Sequence, residues 1–369
     1  MKIFHYRPIL VLVGFIALVV LYIQVKYTNE KRMVIECDKI FKERKEVVTE
    51  QHLASIVIAN STVLPGRNPD LDVGVSLFND VNHRFKNQSI ITLFTSFKTD
   101  YAVDSDKLSV YNNTLYNWQT LRPHVQLIFF TKDASAGEKV NLFNWNIFPV
   151  LANSESGIPA ISDMYKEARN LFNTSWYGYF NGDILLTEDI VETLEYVSSV
   201  SEYFSNASIL IIGRRVNVLN VTSEEVRSQN GIMASARSRG SLYEIDAEDY
   251  FITNRFFPWS KIPEFVIGRA GYDNWIVGHA RCDLKTIVID ATETITAVHQ
   301  TTSKGGNKEG FAHENKNYNL ELIKRLKLPK RFLQGLTTCA EWRTIRTLKT
   351  KKIELVKRDD QHKNCKCKK

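Results

Sequence analysis

The chain carries none of the short signatures by which the commonest enzymes hold phosphates or activate a nucleophile. It has no G-x-x-x-x-G-K-S/T loop, no G-x-G-x-x-G after a strand, no G-x-S-x-G elbow and no H-E-x-x-H pair. An ordinary kinase, dinucleotide enzyme, serine hydrolase or zinc protease is thereby excluded. Internal repeats are missing as well. Cysteine is scarce, with five in 369 residues, an odd number for a protein of an oxidising compartment. Cys365 and Cys367 lack the further Cys or His ligands that a zinc site needs. A bridge between Cys282 and Cys339 is the expectation within the body of the chain, and Cys37 is available to link two chains, as a homodimer; spacing leaves both connectivities open.

Charged residues are absent from residues 9–25, an apolar run just long enough to cross a bilayer. It lacks the small-residue pattern of a cleavage site and runs directly into charged sequence, so an uncleaved anchor is expected rather than a removed signal. Lysines and arginines flank both ends and do not orient it. Orientation follows from six Asn-x-Ser/Thr tripeptides, at Asn60, Asn87, Asn112, Asn173, Asn206 and Asn220, all C-terminal to the run. Such sites are used only in the secretory lumen. The reading is a cytoplasmic tail (1–8), an anchor (9–25), a charged then Pro/Gly/Asn-containing stem (26–88) and a lumenal domain (89–328).

A net charge of +7 invites a nucleic-acid partner, but its distribution argues against one. Eleven Lys and Arg between Arg343 and Lys369 face only Glu354, Asp359 and Asp360, so this segment carries +8 and the remainder is nearly neutral. Residues 329–369 are expected to be a solvated, partly disordered basic tail.

From Ser89 the pattern is α/β. Buried-strand runs are predicted at 90–95, 125–130, 145–150, 176–186 and 208–213, separated by helices at 106–121, 159–172 and 187–200. Alternation of this kind implies a mostly parallel sheet with helices on both faces. The Ser/Arg-rich run 227–240 has no period and is expected as a mobile loop over the site.

The most informative stretch is Trp176 to Leu186, an aromatic strand that breaks at Asn181-Gly182-Asp183 and resumes as an apolar one. A carboxylate at the end of a buried strand is where an α/β sheet presents a divalent cation or a phosphate; the same three residues are also common turn formers. Phe265 to Trp275 places Arg269 and Gly271 before a helix that carries Asp273 in its first turn, so Asp273 is either a base or a cap. Arg269 fits a diphosphate or a buried acid equally. Ala297 to Gly306 leads His299 from a strand towards a Gly-rich loop with Lys304, which suits a metal ligand and a phosphate contact or a hydrogen-bonded core histidine. Asp246, Glu248 and Asp249 precede an aromatic strand and suit acceptor hydroxyls or a solvated turn. Asp104 and Asp106 are read as caps of the following helix. Thr95, Ser96 and Phe97 end the first strand, where a base or ribose sits in such sheets. Trp176, Tyr177, Tyr179, Phe256, Phe257 and Trp259 suit sugar stacking, though aromatics serve cores first.

With its anchor, stem, first strand, midway Asn181-Gly182-Asp183, later acidic segment and late His299, the chain resembles Golgi-type, type II membrane glycosyltransferases of the nucleotide-diphospho-sugar (GT-A) fold. The resemblance covers most of 89–306, and Asn181 stands where the family's D-x-D motif has its first Asp. It implies an α/β GT-A-like domain that moves a sugar from a nucleotide-diphosphate sugar to a glycan, glycoprotein or glycolipid acceptor. The expected location is the Golgi membrane, with the ER as the other membrane of that pathway. It further implies Asp183 and His299 as ligands of Mn²⁺ or Mg²⁺, with Asn181, Thr95, Ser96, Phe97, Arg269 and Lys304 on the donor. Asp246, Glu248, Asp249 and Trp275 would lie on the acceptor, with Asp273 as base of an inverting transfer. A non-catalytic carbohydrate-binding or scaffold protein of the same fold is the other reading, favoured by Asn181.

Overall fold

The computed structural model describes residues 89–97, 105–149, 158–201, 204, 207–302, 315–361 and 363–367. The expected anchor and stem lie outside these residues, as do Asn60, Asn87, Asn206, Cys37, Asp104 and Lys304. Among the described residues no helix is long and apolar enough to cross a membrane.

The chain runs β1 (Ile91–Thr95), α1 (Ser105–Thr120), β2 (Val125–Phe130), α2 (Ala134–Asn141), β3 (Asn146–Phe148), α3 (Ile161–Leu171), β4 (Trp176–Phe180) and β5 (Ile184–Leu186). It continues through α4 (Asp189–Ser201), β6 (Ile209–Ile212), β7 (Val216–Leu219), α5 (Ser223–Val226), α6 (Gln229–Arg239), β8 (Ser241–Leu242) and β9 (Tyr250–Asn254). It ends with α7 (Asp273–Cys282), β10 (Ile287–Asp290), β11 (Ala297–Thr301), α8 (Tyr318–Arg325), β12 (Trp342–Arg346) and β13 (Ile353–Lys357). Nine strands form one sheet in the order β13-β12-β10-β6-β9-β4-β1-β2-β3. β9 runs against both of its neighbours and β13 against β12; the other pairs are parallel.

The period-2 geometry of a strand explains why the central runs read as uninterrupted apolar sequence. Ile91 and Leu93 of β1, Leu127 and Phe129 of β2, and Ile209 and Ile211 of β6 point into one core against α1, α2 and α4. Phe94, Ile128, Phe130, Leu210 and Ile212 point the other way, into a core built with α3, α7 and α8. Each such fully buried side chain contributes about 1.5–3 kcal/mol, so both faces of the sheet must stay covered. This is the predicted α/β architecture with a mostly parallel sheet.

Three expectations are corrected. Residues 227–240 are not a loop: α5 opens with a capping box at Thr222 and Glu225, and α6 buries Ile232 and Ser235 over a small second sheet of order β5-β11-β7-β8. Residues 329–369 are not a free tail, because β12 joins the main sheet beside β10 and β13 pairs with it. Two of its arginines are engaged by the body of the fold, Arg358 pairing with Asp290 at 2.5 Å and Arg346 with Glu192 at 2.7 Å. The disulfides join Cys282 to Cys367 and Cys339 to Cys365, with Cα separations of 5.3 and 5.1 Å, and replace the expected bridge between Cys282 and Cys339. The folding back of the C-terminal segment brings these pairs together.

Candidate active site

Parallel strands carry their loops at the carboxyl edge, and the antiparallel β9 begins at the edge where β4 ends: Phe180 pairs with Tyr250. Asn181, after β4, therefore stands beside Asp249, before β9, and its backbone N–H donates to the Asp249 carbonyl at 3.1 Å. Asn181 to Ile184 form a tight turn, Ile184 N–H donating back to the Asn181 carbonyl at 3.2 Å. Gly182 is required because a Cβ there would meet Phe97 Cδ1 at 2.6 Å. Phe97 cannot yield easily, since it stacks on Tyr111 with centroids 4.1 Å apart and packs on Phe129. Its ring is thus engaged in holding the turn, while Ser96 beside it is half-buried.

The turn launches β5 into the small sheet, where His299 of β11 pairs with Ile184. α1 fixes this junction. Asn117 donates to the Leu186 carbonyl at 2.9 Å and accepts from its N–H at 2.7 Å, and Trp118 Nε1 donates to the Ile184 carbonyl at 2.8 Å. Gln300 holds the Asp183 carbonyl through both its backbone N–H, at 3.1 Å, and its side chain, at 3.3 Å. Asp183 Oδ2 then meets His299 Nε2 at 3.1 Å. His299 is 1% exposed, and its Nδ1 and Asp183 Oδ1 are both buried without a hydrogen-bond partner. Burial alone would raise the Asp183 carboxyl, but the neighbouring His299 and Arg215 hold it below the usual carboxylate range.

Behind this pair lies a buried polar network. Tyr179 Oη donates to Asn181 Oδ1 at 2.9 Å, Asn181 Nδ2 donates to Asp249 Oδ1 at 2.8 Å, and Arg215 forms a short ion pair with that same oxygen. Arg215 also donates from Nε to Asn217 at 2.9 Å and lies 4.0 Å from the Tyr243 ring centre. Tyr272 bonds Tyr179 and so links the network to the start of α7. Asp249 Oδ2 is buried and unpartnered, and burial raises its carboxyl despite the opposing charge of Arg215.

Half-buried Asp273 is the first residue of α7. Burial raises its carboxyl to about 7, with the Asn274 backbone N–H opposing and Asp249 and Asp246 adding repulsion. Glu248 is buried, accepting from Thr337 and from Asn274 Nδ2 at 3.0 Å each; burial and then Asp273 push it well up. Asp246 is exposed at the mouth of this acidic group. Acid strength is thus divided across the site: Asp183 is held ionised while Asp273 titrates near neutrality, the pattern expected of an ion-binding carboxylate beside a base.

Other predicted residues fall elsewhere. Trp275 is fully buried, donating to the Pro329 carbonyl at 2.8 Å and packed on Phe265 and His279, so it offers no face to an acceptor. Trp176, Tyr177, Tyr179, Phe257 and Trp259 are likewise core, and only Phe256, 48% exposed, presents a ring. Thr95 is buried at the end of β1 with its hydroxyl unpartnered. Arg269 is half-buried in a turn with positive φ at Gly268 and Gly271; its Nη1 donates to the Gly268 carbonyl at 2.8 Å, and Nε has no partner. Sequence reasoning missed Arg215, whose signal was a pair of arginines directly after the buried strand ending in Gly213. It also missed a cavity of about 440 Å³ at the carboxyl ends of β2 and β3, lined by Thr131, Lys132, Asp133 and Gly137 among others. None of the predicted residues lines it.

Asp183 and His299 are the two predicted ligands that the fold brings together. A spacing of 3.1 Å between Asp183 Oδ2 and His299 Nε2 is that of two adjacent ligands on one ion, and Asp183 Oδ1 has no competing partner. Among the described residues no third His, Cys, Asp or Glu completes a metal-holding group.

No family model and no curated protein matches the chain. Solved structures do. A CMP-2-keto-3-deoxy-manno-octonic acid synthetase complexed with CTP is 12% identical, covering 65% of this chain and 98% of its own, with a TM-score of 0.31. An inositol-1-phosphate CTP transferase from T. maritima is 12% identical over 63% of this chain and 97% of its own, with a TM-score of 0.33. Residues 1–349 of S. aureus TarS, in complex with UDP-GlcNAc, are 12% identical over 67% and 70%, with a TM-score of 0.34. Likenesses of this depth assign no role to any residue of this chain.

Proposed function

We propose that the chain is a glycosyltransferase that moves a sugar from a nucleotide-diphosphate donor to a hydroxyl of a glycan, glycoprotein or glycolipid. One observation carries this reading: an ionised Asp183 paired with His299 and a near-neutral Asp273 belong to the same edge of the sheet, joined through Tyr272, Tyr179 and Asn181. Asp183 and His299 would hold Mn²⁺ or Mg²⁺, which when bound neutralises charge on a departing diphosphate. Arg269, with an unpartnered Nε, is the arginine available to the phosphates, and Lys304, outside the described residues, is the lysine expected to join it. Asp273 takes the proton of the attacking hydroxyl as the new C–O bond forms and the bond from sugar to phosphate breaks, which is an inverting transfer. Arg215 keeps Asp249 paired, so that Asp249 adds repulsion beside Asp273 rather than a second base.

A secretory-lumen setting is supported by two disulfides and by exposure of Asn112, Asn173 and Asn220. With the apolar run at 9–25 as anchor, the reading is a type II protein of the Golgi membrane, or of the ER membrane. Asn181 favours the other reading, a carbohydrate-binding protein without turnover, because both ends of its amide are already engaged. The test is release of nucleoside diphosphate by the purified full chain from a panel of UDP-, GDP- and CDP-sugars, with Mn²⁺ and with EDTA. Release that Asp183→Ala abolishes supports the transferase; glycan binding without release from any donor supports the module.

A further inference from the structure

The tip of the β12–β13 hairpin gathers three lysines that the fold leaves uncommitted. By register, Asp290 at the end of β10 is level with Ile212 at the end of β6 and with Arg343 in β12. β12 continues through Thr344 and Ile345 to Arg346, so the ribbon projects beyond the carboxyl edge before it turns. The tip is tightly tied: Thr347 N–H donates to the Lys352 carbonyl at 3.0 Å, Lys351 N–H to the Thr347 carbonyl at 2.9 Å, and the Thr347 and Thr350 hydroxyls bond each other. Arg346 and Arg358, at the ribbon's flanks, are occupied by Glu192 and Asp290. Lys349, Lys351 and Lys352 are exposed and have no acidic group within ion-pair distance among the described residues.

Because β4, β6, β10 and β12 run the same way, the tip stands on the edge that carries Asp183 and Asp249. Four inter-strand steps separate β12 from β4, about 19 Å at the usual spacing. We propose that this hairpin is a subsite for an anionic acceptor, and that the acceptor is a glycan chain bearing carboxylate or sulfate groups some distance from its reacting end. The inference rests on the transferase reading, from which it takes the acceptor as a glycan. The charge fits such a chain, because three cations on one tip attract a polyanion. A bilayer is the poorer occupant, since Leu348 is the only exposed apolar side chain on the tip, 69% exposed, and one leucine buries too little to anchor a protein.

The experiment compares binding of heparin-derived oligosaccharides and uncharged glycans to the purified full chain and to the triple variant Lys349→Glu, Lys351→Glu, Lys352→Glu. Donor hydrolysis is measured on both proteins. The expected result is heparin binding that falls with salt and drops about tenfold or more in the variant, with donor hydrolysis and disulfide pairing unchanged. A Lys-to-Arg triple variant should restore binding. Unaltered heparin affinity in the charge-reversed protein, or stronger binding to polyglutamate or to phosphatidylserine vesicles than to heparin, would overturn the proposal. If heparin binding is lost while neither protein hydrolyses any donor, the transferase reading falls and the acceptor role with it, but the hairpin remains the glycan contact.

Discussion

Protonation of Asp273 is the sharpest handle on the proposed chemistry. Its carboxyl is raised from 3.8 to about 7, chiefly by burial, with Asp249 and Asp246 adding to the shift. A base with that pKa is about one-tenth ionised near pH 6 and about nine-tenths ionised near pH 8, so kcat/KM should rise roughly tenfold across that interval and then level off. Folding stability runs the opposite way. Between about pH 4 and about pH 7 the folded chain keeps a proton that the unfolded chain has released, so stability falls as pH rises through this window. Asp273→Asn should abolish transfer and remove that part of the stability slope together. Asp246→Asn, at an exposed position that adds repulsion, should move the midpoint downward. The measurements are initial rates of nucleoside diphosphate release against pH and urea melts at matching pH. A flat rate profile in the wild-type protein, or an Asp273→Asn variant with ordinary turnover, would refute the assignment of the base.

Three further outcomes are expected. Asp183→Asn should lose Mn²⁺ binding measured by calorimetry and lose transfer, at a stability cost of about 1–3 kcal/mol because buried His299 then faces an amide instead of a carboxylate. Gly182→Ala should destabilise by roughly 1–3 kcal/mol, since its methyl group meets Phe97 at 2.6 Å, and a variant as stable as wild type would show that Phe97 is free to move. Peptide mapping should find Cys282 joined to Cys367 and Cys339 to Cys365, which leaves Cys37 alone to form any reducible dimer seen on a gel; Cys37→Ser should then remove that dimer.

The sequence by itself determined the α/β class, because strands buried on both faces need continuous apolar runs and their covering helices need a 3.6-residue period; both patterns are local. It also marked Asp183, His299 and Asp273, since residues that leave a buried strand or open a helix break an apolar pattern and can be seen along the chain. Asn181-Gly182-Asp183 is a turn, and that turn aims Asp183 at His299.

What only the tertiary structure decided is everything that depends on residues far apart in sequence. Asp249 became buried and paired because β9 reverses direction beside β4 and brings Arg215 against it, and no local pattern records that reversal. Trp275 looks the same in sequence whether it stacks on a sugar or fills a core. The C-terminal segment read as solvated because composition counts charges without their partners. In the fold, Arg358 finds Asp290 and Arg346 finds Glu192, and both disulfides close on the segment. Periodicity fixes which way a side chain points within its own element, whereas its partner, and so its charge state and its use, is set by which elements the whole chain packs together.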